Sequence, residues 1–228
     1  MRAWMSWSTG KDSAYALHVA REQLGVPIAA LHTTVTADYD RVSMHGVRRE
    51  LLVRQAEHLG LPLRVVELPT PCSNDQYERR MSASLAQGLA EGVDRIVFGD
   101  LFLEDIRAYR EERLAGTGIT PLFPLWQRDT HELAAEMLGA GIRARVTCVD
   151  PRQLDPAFAG REFDRSFLDD LPAGVDPCGE RGEFHTFAYD GPGFRRRIAV
   201  ANGEVVEREG FVFADLVAAP SPGPPPSR

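Results

Sequence analysis

Along the first hundred residues, short apolar runs alternate with stretches whose apolar positions recur at three- and four-residue spacing. Residues 3–7 and 28–32 are runs of the first kind, and residues 12–24 and 47–59 follow the helical period. Residues 63–68, a helical stretch around 75–91, and residues 95–98 continue the alternation. A strand–helix rhythm of this length predicts a doubly wound parallel sheet covered by helices, a Rossmann-like α/β fold.

Punctuation thickens at Gly116-Thr117-Gly118, and Pro121 and Pro124 bar a helix there, so a first unit is expected to span 1–120. Residues 129–138 read as a helix and 143–149 as a strand, and Asp150-Pro151 opens a loop-rich stretch. Residues 184–189, 196–201, 204–209 and 211–213 are short extended runs, with Asn202-Gly203 as a two-residue hairpin signal. These predict a smaller α+β domain over 121–217. Residues 218–228, rich in Pro, Ser and Gly, have little to bury and are expected to be a disordered tail.

Composition narrows the classes. The chain has 228 residues, 43% hydrophobic and 26% charged, as in ordinary globular proteins. No apolar run is long enough for a membrane span or a signal peptide, so a cytoplasmic protein without a membrane partner is expected. A net charge of −7 disfavours a nucleic-acid surface, and the basic run Arg195-Arg196-Arg197 reads as a solvated strand edge. Cys72, Cys148 and Cys178 form no metal-binding or disulfide spacing. A homodimer is compatible with all of this.

Candidate chemistry begins at Ser8-Thr9-Gly10-Lys11-Asp12-Ser13, directly after the first strand and before a helical stretch. Small residues there turn backbone N–H groups toward an anion, Ser8 and Ser13 add hydroxyls, and the helix N-terminus adds a positive dipole end. Lys11 suits phosphate neutralisation, and Asp12 suits Mg²⁺. The Walker pattern is absent, because Asp12 follows Gly10-Lys11 and Met5 stands where the first glycine belongs. A ligand-free helix capped by Ser8 or Asp12 is the plain alternative. Thr9 is the weak point, since a required positive φ strains a β-branched residue.

At the second strand's end, the backbone of Thr33 and Thr34 is placed to read an adenine, or is simply a buried strand end. His45, opening the next helical segment, is a substrate-site candidate by position and a cap or surface residue by base expectation. Phe98-Gly99-Asp100 closes another strand. Gly99 there would admit a ligand's close approach. Asp100, with Glu104 and Asp105, suggests either a Mg²⁺ site or helix capping. The densest run is 176–187, where Glu180, Glu183, His185 and Thr186 crowd between glycines. A structural turn needs the glycines but not those side chains.

The six residues 8–13 resemble the PP-loop of ATP pyrophosphatases, Ser-Gly-Gly-Lys-Asp-Ser, with Thr9 in place of the first glycine. Together with residues 98–111, 121–126 and Cys178-Gly179-Glu180-Arg181-Gly182-Glu183-Phe184-His185-Thr186, the chain resembles the diphthine ammonia ligase family over about residues 3–215. The resemblance implies an adenine nucleotide alpha hydrolase fold and use of ATP with Mg²⁺ at Asp12 and Asp100. It implies a carboxylate acceptor, an ammonium or other amine donor, and a substrate site in the second domain. Lys11, Asp12, Glu183 and His185 are the implied catalytic residues, with Glu180, Thr186, His45 and Glu104 toward substrate. His185 would work near neutral pH at its ordinary pKa. Composition leans toward a bacterial member, whose acceptor stays open. A PP-loop enzyme of tRNA modification and a non-catalytic ATP sensor are the competing readings.

Overall fold

A computed structural model describes residues 2–220. The first unit runs β1 (Ala3–Ser6), α1 (Lys11–His18) with a π-helical turn at Val19–Gln23, β2 (Ile28–Thr36), β3 (Arg41–Val42) and α2 (Arg49–Leu59). It continues with β4 (Leu63–Leu68), α3 (Asn74–Ala90), β5 (Arg95–Val97), α4 (Glu104–Leu114) and β6 (Thr120–Leu122). Strands β4, β2, β1, β5 and β6 lie side by side in parallel, and β3 folds back antiparallel on the end of β2. Ala3, Trp4 and Met5 are all buried, so helices cover both faces of β1. That explains an unbroken apolar run where a half-exposed strand would alternate.

From β1 the chain winds outward through β2 to β4, then returns to β5 on the other side. The winding therefore reverses between β1 and β5, and such a switch point opens a crevice at the strands' carboxyl ends. The loop after β1 and Phe98-Gly99-Asp100 after β5 both sit there.

The second unit holds α5 (Thr130–Gly139), β7 (Arg143–Val149), α6 (Arg165–Asp170), β8 (Phe184–Asp190), β9 (Val200–Arg208) and β10 (Phe211–Ala218). Its sheet is antiparallel in the order β8–β7–β10–β9. The change from one sheet to the other falls between Leu122 and Arg143. Among the described residues no helix is long and apolar enough to cross a membrane.

Four expectations need correction. Asn202-Gly203 is not the hairpin turn, because β9 runs straight through it. The turn is Glu209-Gly210, whose φ values of 53° and 80° are the two left-handed positions that a tight hairpin requires. Gly203 instead stands where the pairing with β10 shifts register opposite Asp215, a bulge. The Asn202 side chain donates to Gly160 O and accepts from Arg145, so tertiary bonds replace turn chemistry. The tail does not begin at 218, since Ala218 ends β10 and Ala219 N donates to Ala199 O. Residues 221–228 lie outside the described residues. His45 opens no helix. Residues 43–46 form the turn after β3, with Met44 and Gly46 at positive φ, and α2 starts at Arg49. Arg195-Arg196-Arg197 is no strand edge: it closes on the end of α2, with Arg195 N donating to His58 O and Arg196 O bonded to His58 Nδ1.

Candidate active site

The loop after β1 has the geometry of a strained anion cradle. Thr9 takes φ 71°, the left-handed region, and is fully buried with no partner for Oγ1. Gly10 is the N-cap of α1 and supplies no side-chain cap, so neither Ser8 nor Asp12 acts as one. Ser8 instead donates to Ser13 Oγ, and Ser13 donates to Gly10 O, so the two hydroxyls brace the loop. A helix start without a side-chain cap, beside an orphaned threonine hydroxyl, fits a phosphate group. Replacing Thr9 with glycine is expected to raise stability by about 1 kcal/mol, because the left-handed cost of roughly 1–2 kcal/mol outweighs glycine's extra chain entropy. Chemical denaturation of Thr9→Gly checks this, and a loss of stability would show the loop is not strained.

Two devices hold the loop. Gln55, fully buried on α2, accepts from Trp7 Nε1 at 2.8 Å and donates to Thr9 O at 3.0 Å and Ala188 O at 2.5 Å. From the second sheet, Thr186 Oγ1 accepts the Lys11 N–H at 3.1 Å, and Ala188 N donates to Thr9 O at 2.9 Å. Thus β8 lies directly on the loop. Gly10 is in near contact with Thr186, where an added Cβ would stand 3.3 Å from its carbonyl oxygen.

Lys11 is 1% exposed. Its ammonium donates to Asp12 Oδ2 at 3.0 Å and to Cys178 O, and it lies 5.3 Å and 5.1 Å from the ring centres of Phe163 and Phe184. Burial pulls its pKa down, but Asp12 and the negative groups around Cys178 and Asp176 more than offset this and leave it raised. Lys11 is therefore charged. Asp12 keeps 26% of its side chain open, so we read it as the carboxylate of this pair, although burial pushes its pKa up. Its Oδ1 is buried without a partner.

Around this pair stand the residues of the dense run. Glu180 Oε1 accepts from Leu101 N at 2.7 Å, which ties the run to the segment after β5. Burial raises its pKa to about 7, and the carboxylates of Asp12 and Asp100 push the same way. Glu183 is buried, accepts from Asp176 N through Oε1, and leaves Oε2 unpartnered. His185 packs against His45 with ring centres 4.5 Å apart and the planes tilted by 39°. Burial, then the nearby Lys11 charge, lowers His185 to about 4, and burial lowers His45 well below its ordinary value. The expectation that His185 titrates near neutral pH is corrected: both rings are neutral there, and Glu180 is the group with that pKa.

Other candidates move. Gly99 makes room for protein, not ligand: an added Cβ would stand 3.1 Å from Asp12 C and from Ser13 N, so the glycine lets α1 pack against β5's end. Asp100 caps no helix and has both oxygens on Arg110, at 2.7 Å and 3.2 Å. It does not fit the Mg²⁺ role, whereas the unpartnered Asp12 Oδ1 does. No group of three or more His, Cys, Asp or Glu among the described residues makes a ready metal site, so a Mg²⁺ here would depend on phosphate and water oxygens. Glu104 is exposed in the first turn of α4. Thr33 is buried with Oγ1 unpartnered, and Thr34 is half-buried with its carbonyl taken by Ser43 N. Gln55 and Arg110 were not read as site residues from the sequence, and Asp176 stood in the dense run without a role of its own. Gln55 carried a signal, a polar residue on the apolar face of a helical stretch.

Fold and site together define a nucleotide-binding α/β protein whose second domain closes directly on its PP-loop-like segment. Residues 1–119 match the diphthamide synthase N-terminal domain and residues 129–216 the diphthamide synthase C-terminal domain, and the chain belongs to this family. It is similar to the diphthine–ammonia ligase of Homo sapiens, 28% identical over 95% of this chain and 89% of that one. It is also similar to that of Bos taurus, 29% identical with the same coverage. Among solved structures it is similar to the U34-tRNA thiolase NcsA of Methanococcus maripaludis with its [4Fe-4S] cluster. That likeness is 17% identical over 61% of this chain and 57% of the other, with a TM-score of 0.39.

Proposed function

We propose that the chain is an ATP-dependent ligase that adenylates a carboxylate and converts it to an amide with ammonia. The observation that carries this is the Lys11 N–H to Thr186 Oγ1 bond, which puts the family's second-domain run against the phosphate loop. The relatives' ligase names support the reaction class.

In the proposed reaction a carboxylate oxygen of the acceptor attacks the α-phosphorus of ATP, and the bond to pyrophosphate breaks. Lys11, with two donors on Asp12 and Cys178 O, has a third for a phosphate oxygen, and the start of α1, where Gly10 brings no capping side chain, meets the leaving group's charge. Asp12 Oδ1 would hold Mg²⁺, which supplies further neutralisation of the triphosphate when bound. Ammonia then attacks the acyl carbon and AMP leaves. Glu180, poised near pH 7, takes the proton that ammonium or the attacking amine gives up. Glu183 orients the 176–183 turn through Asp176 N, which makes it a positioning group. Residues up to β6 form the ATP-binding domain and the rest the acceptor domain. The acceptor is a carboxylic acid, as is diphthine, the substrate in the relatives' name.

Sulfur transfer to tRNA fits less well. Cys148 and Cys178 are buried, burial pushes the Cys148 thiol up to about 12 and that of Cys178 further, and neither is a ready nucleophile. Product analysis tests the proposal. Protein, Mg-ATP, ammonium and fractionated cell extract are expected to yield AMP and pyrophosphate in equal amounts. ADP as sole product, or ATP left intact with every fraction, overturns it.

A further inference from the structure

A cavity of about 360 Å³ lies between the second sheet and the carboxyl ends of β2 and β4. One wall is a row of three side chains across neighbouring strands: His185 on β8, Cys148 on β7 and Phe213 on β10. The opposite wall is Thr36 and Leu68, where β2 and β4 end. At the mouth, Tyr39 is 48% and Met44 74% exposed, large apolar side chains that the core does not use. Thr36 and Ser43, which share a 3.1 Å hydrogen bond, are polar points in a mainly apolar lining. That balance suits an organic molecule better than a phosphate.

The cavity is coupled to the phosphate loop through one strand. Neighbouring side chains of a strand point to opposite faces. Thr186 therefore reaches the loop, where it accepts from Lys11 N, and His185 turns toward the cavity. Of the two carboxylates in the lining, Asp215 is already answered by Arg41 and Arg48 at 2.8 Å and 2.5 Å, and Glu209 is exposed in the β9–β10 turn. Asp215 exerts no free demand for a cationic ligand.

We infer that this cavity holds the apolar body of the carboxylate acceptor, its carboxyl end at His185, next along β8 to the Thr186 that holds the loop. The inference rests on the ligase reading for the word acceptor. The ligand class is a carboxylic acid carrying an aromatic or aliphatic body.

Cys72 provides a readout that needs no turnover. It lines the cavity and is half-buried, whereas Cys148 and Cys178 are buried. Iodoacetamide labelling of Cys72, followed by mass spectrometry in the absence of ATP, is expected to slow about threefold with 4-phenylbutyrate or octanoate at twice the dissociation constant. Acetate and 4-phenylbutylamine should leave the rate unchanged. Ser43→Trp, which fills the cavity, and Met44→Asp, at an exposed mouth position, should abolish or weaken protection without changing ATP affinity. Equal labelling with and without the acids overturns the inference, as does equal protection by the amine. Protection by ATP alone also overturns it, by giving the cavity to the nucleotide. None of these outcomes touches the ligase reading, which AMP and pyrophosphate formation judges separately.

Discussion

Lys11→Met is expected to lower ATP-dependent turnover by roughly 10²–10³-fold, the loss typical when one charged donor leaves a developing anion. The substitution keeps the chain's length and removes only the ammonium. Stability falls as well, because Asp12 Oδ2 and Cys178 O lose their donor inside a site where Lys11 is 1% exposed. Breaking a buried pair on one side costs roughly 3–5 kcal/mol. Lys11→Arg should not rescue, since a guanidinium is wider than an ammonium held between the rings of Phe163 and Phe184. Single-turnover AMP formation and denaturant melts read the two effects separately. Near wild-type turnover in a folded Lys11→Met protein would remove Lys11 from the chemistry and leave it as a bolt between the domains.

Gln55→Leu should be the most damaging change away from the phosphate loop. The side chain joins three segments at no exposure: Trp7 at the end of the first strand, Thr9 in the loop and Ala188 on β8. Leucine fills similar space but leaves the Trp7 N–H and the Ala188 carbonyl without partners, while Thr9 O keeps only the Ala188 N–H. At roughly 1–3 kcal/mol for each of the two abandoned buried groups, the loss is about 2–6 kcal/mol. Gln55→Glu separates hydrogen bonding from shape. A carboxylate there faces two carbonyl oxygens and can donate only when protonated, so burial and those carbonyls raise its pKa in the folded state. Its stability is then present at low pH and lost as pH rises through that raised pKa, the opposite of the ordinary carboxylate. Melts at pH 5 and pH 8 check the sign. A Gln55→Glu protein as stable at pH 8 as at pH 5, relative to the parent, would mean the amide donors contribute little.

The first unit was largely legible in the sequence, because most of its elements are specified locally, the two-residue β3 and the turn at 43–46 excepted. Buried strands read as apolar runs, α3 carries its own Ser73/Gln76 capping box, and the loop from Ser8 to Ser13 sits where strand turns to helix. The second unit was less so. Asn202-Gly203 has ideal turn chemistry, yet long-range bonds to Gly160 and Arg145 made it a bulged strand, and α6 lies in a stretch that read as loop. Pairing energy between distant strands outweighed a local preference worth a fraction of it.

The sequence by itself determined the two kinds of sheet, the phosphate loop and the dense run from Glu180 to Thr186, because residue type and spacing encode periodicity and chemistry directly. Only the tertiary structure decided what those groups do to one another. It joined Lys11 to Thr186 across 175 positions, spent Asp100 on Arg110, silenced His185 by burial and raised Glu180 to about pH 7. A pKa and a partner depend on distance and dielectric, and neither is written in the order of residues.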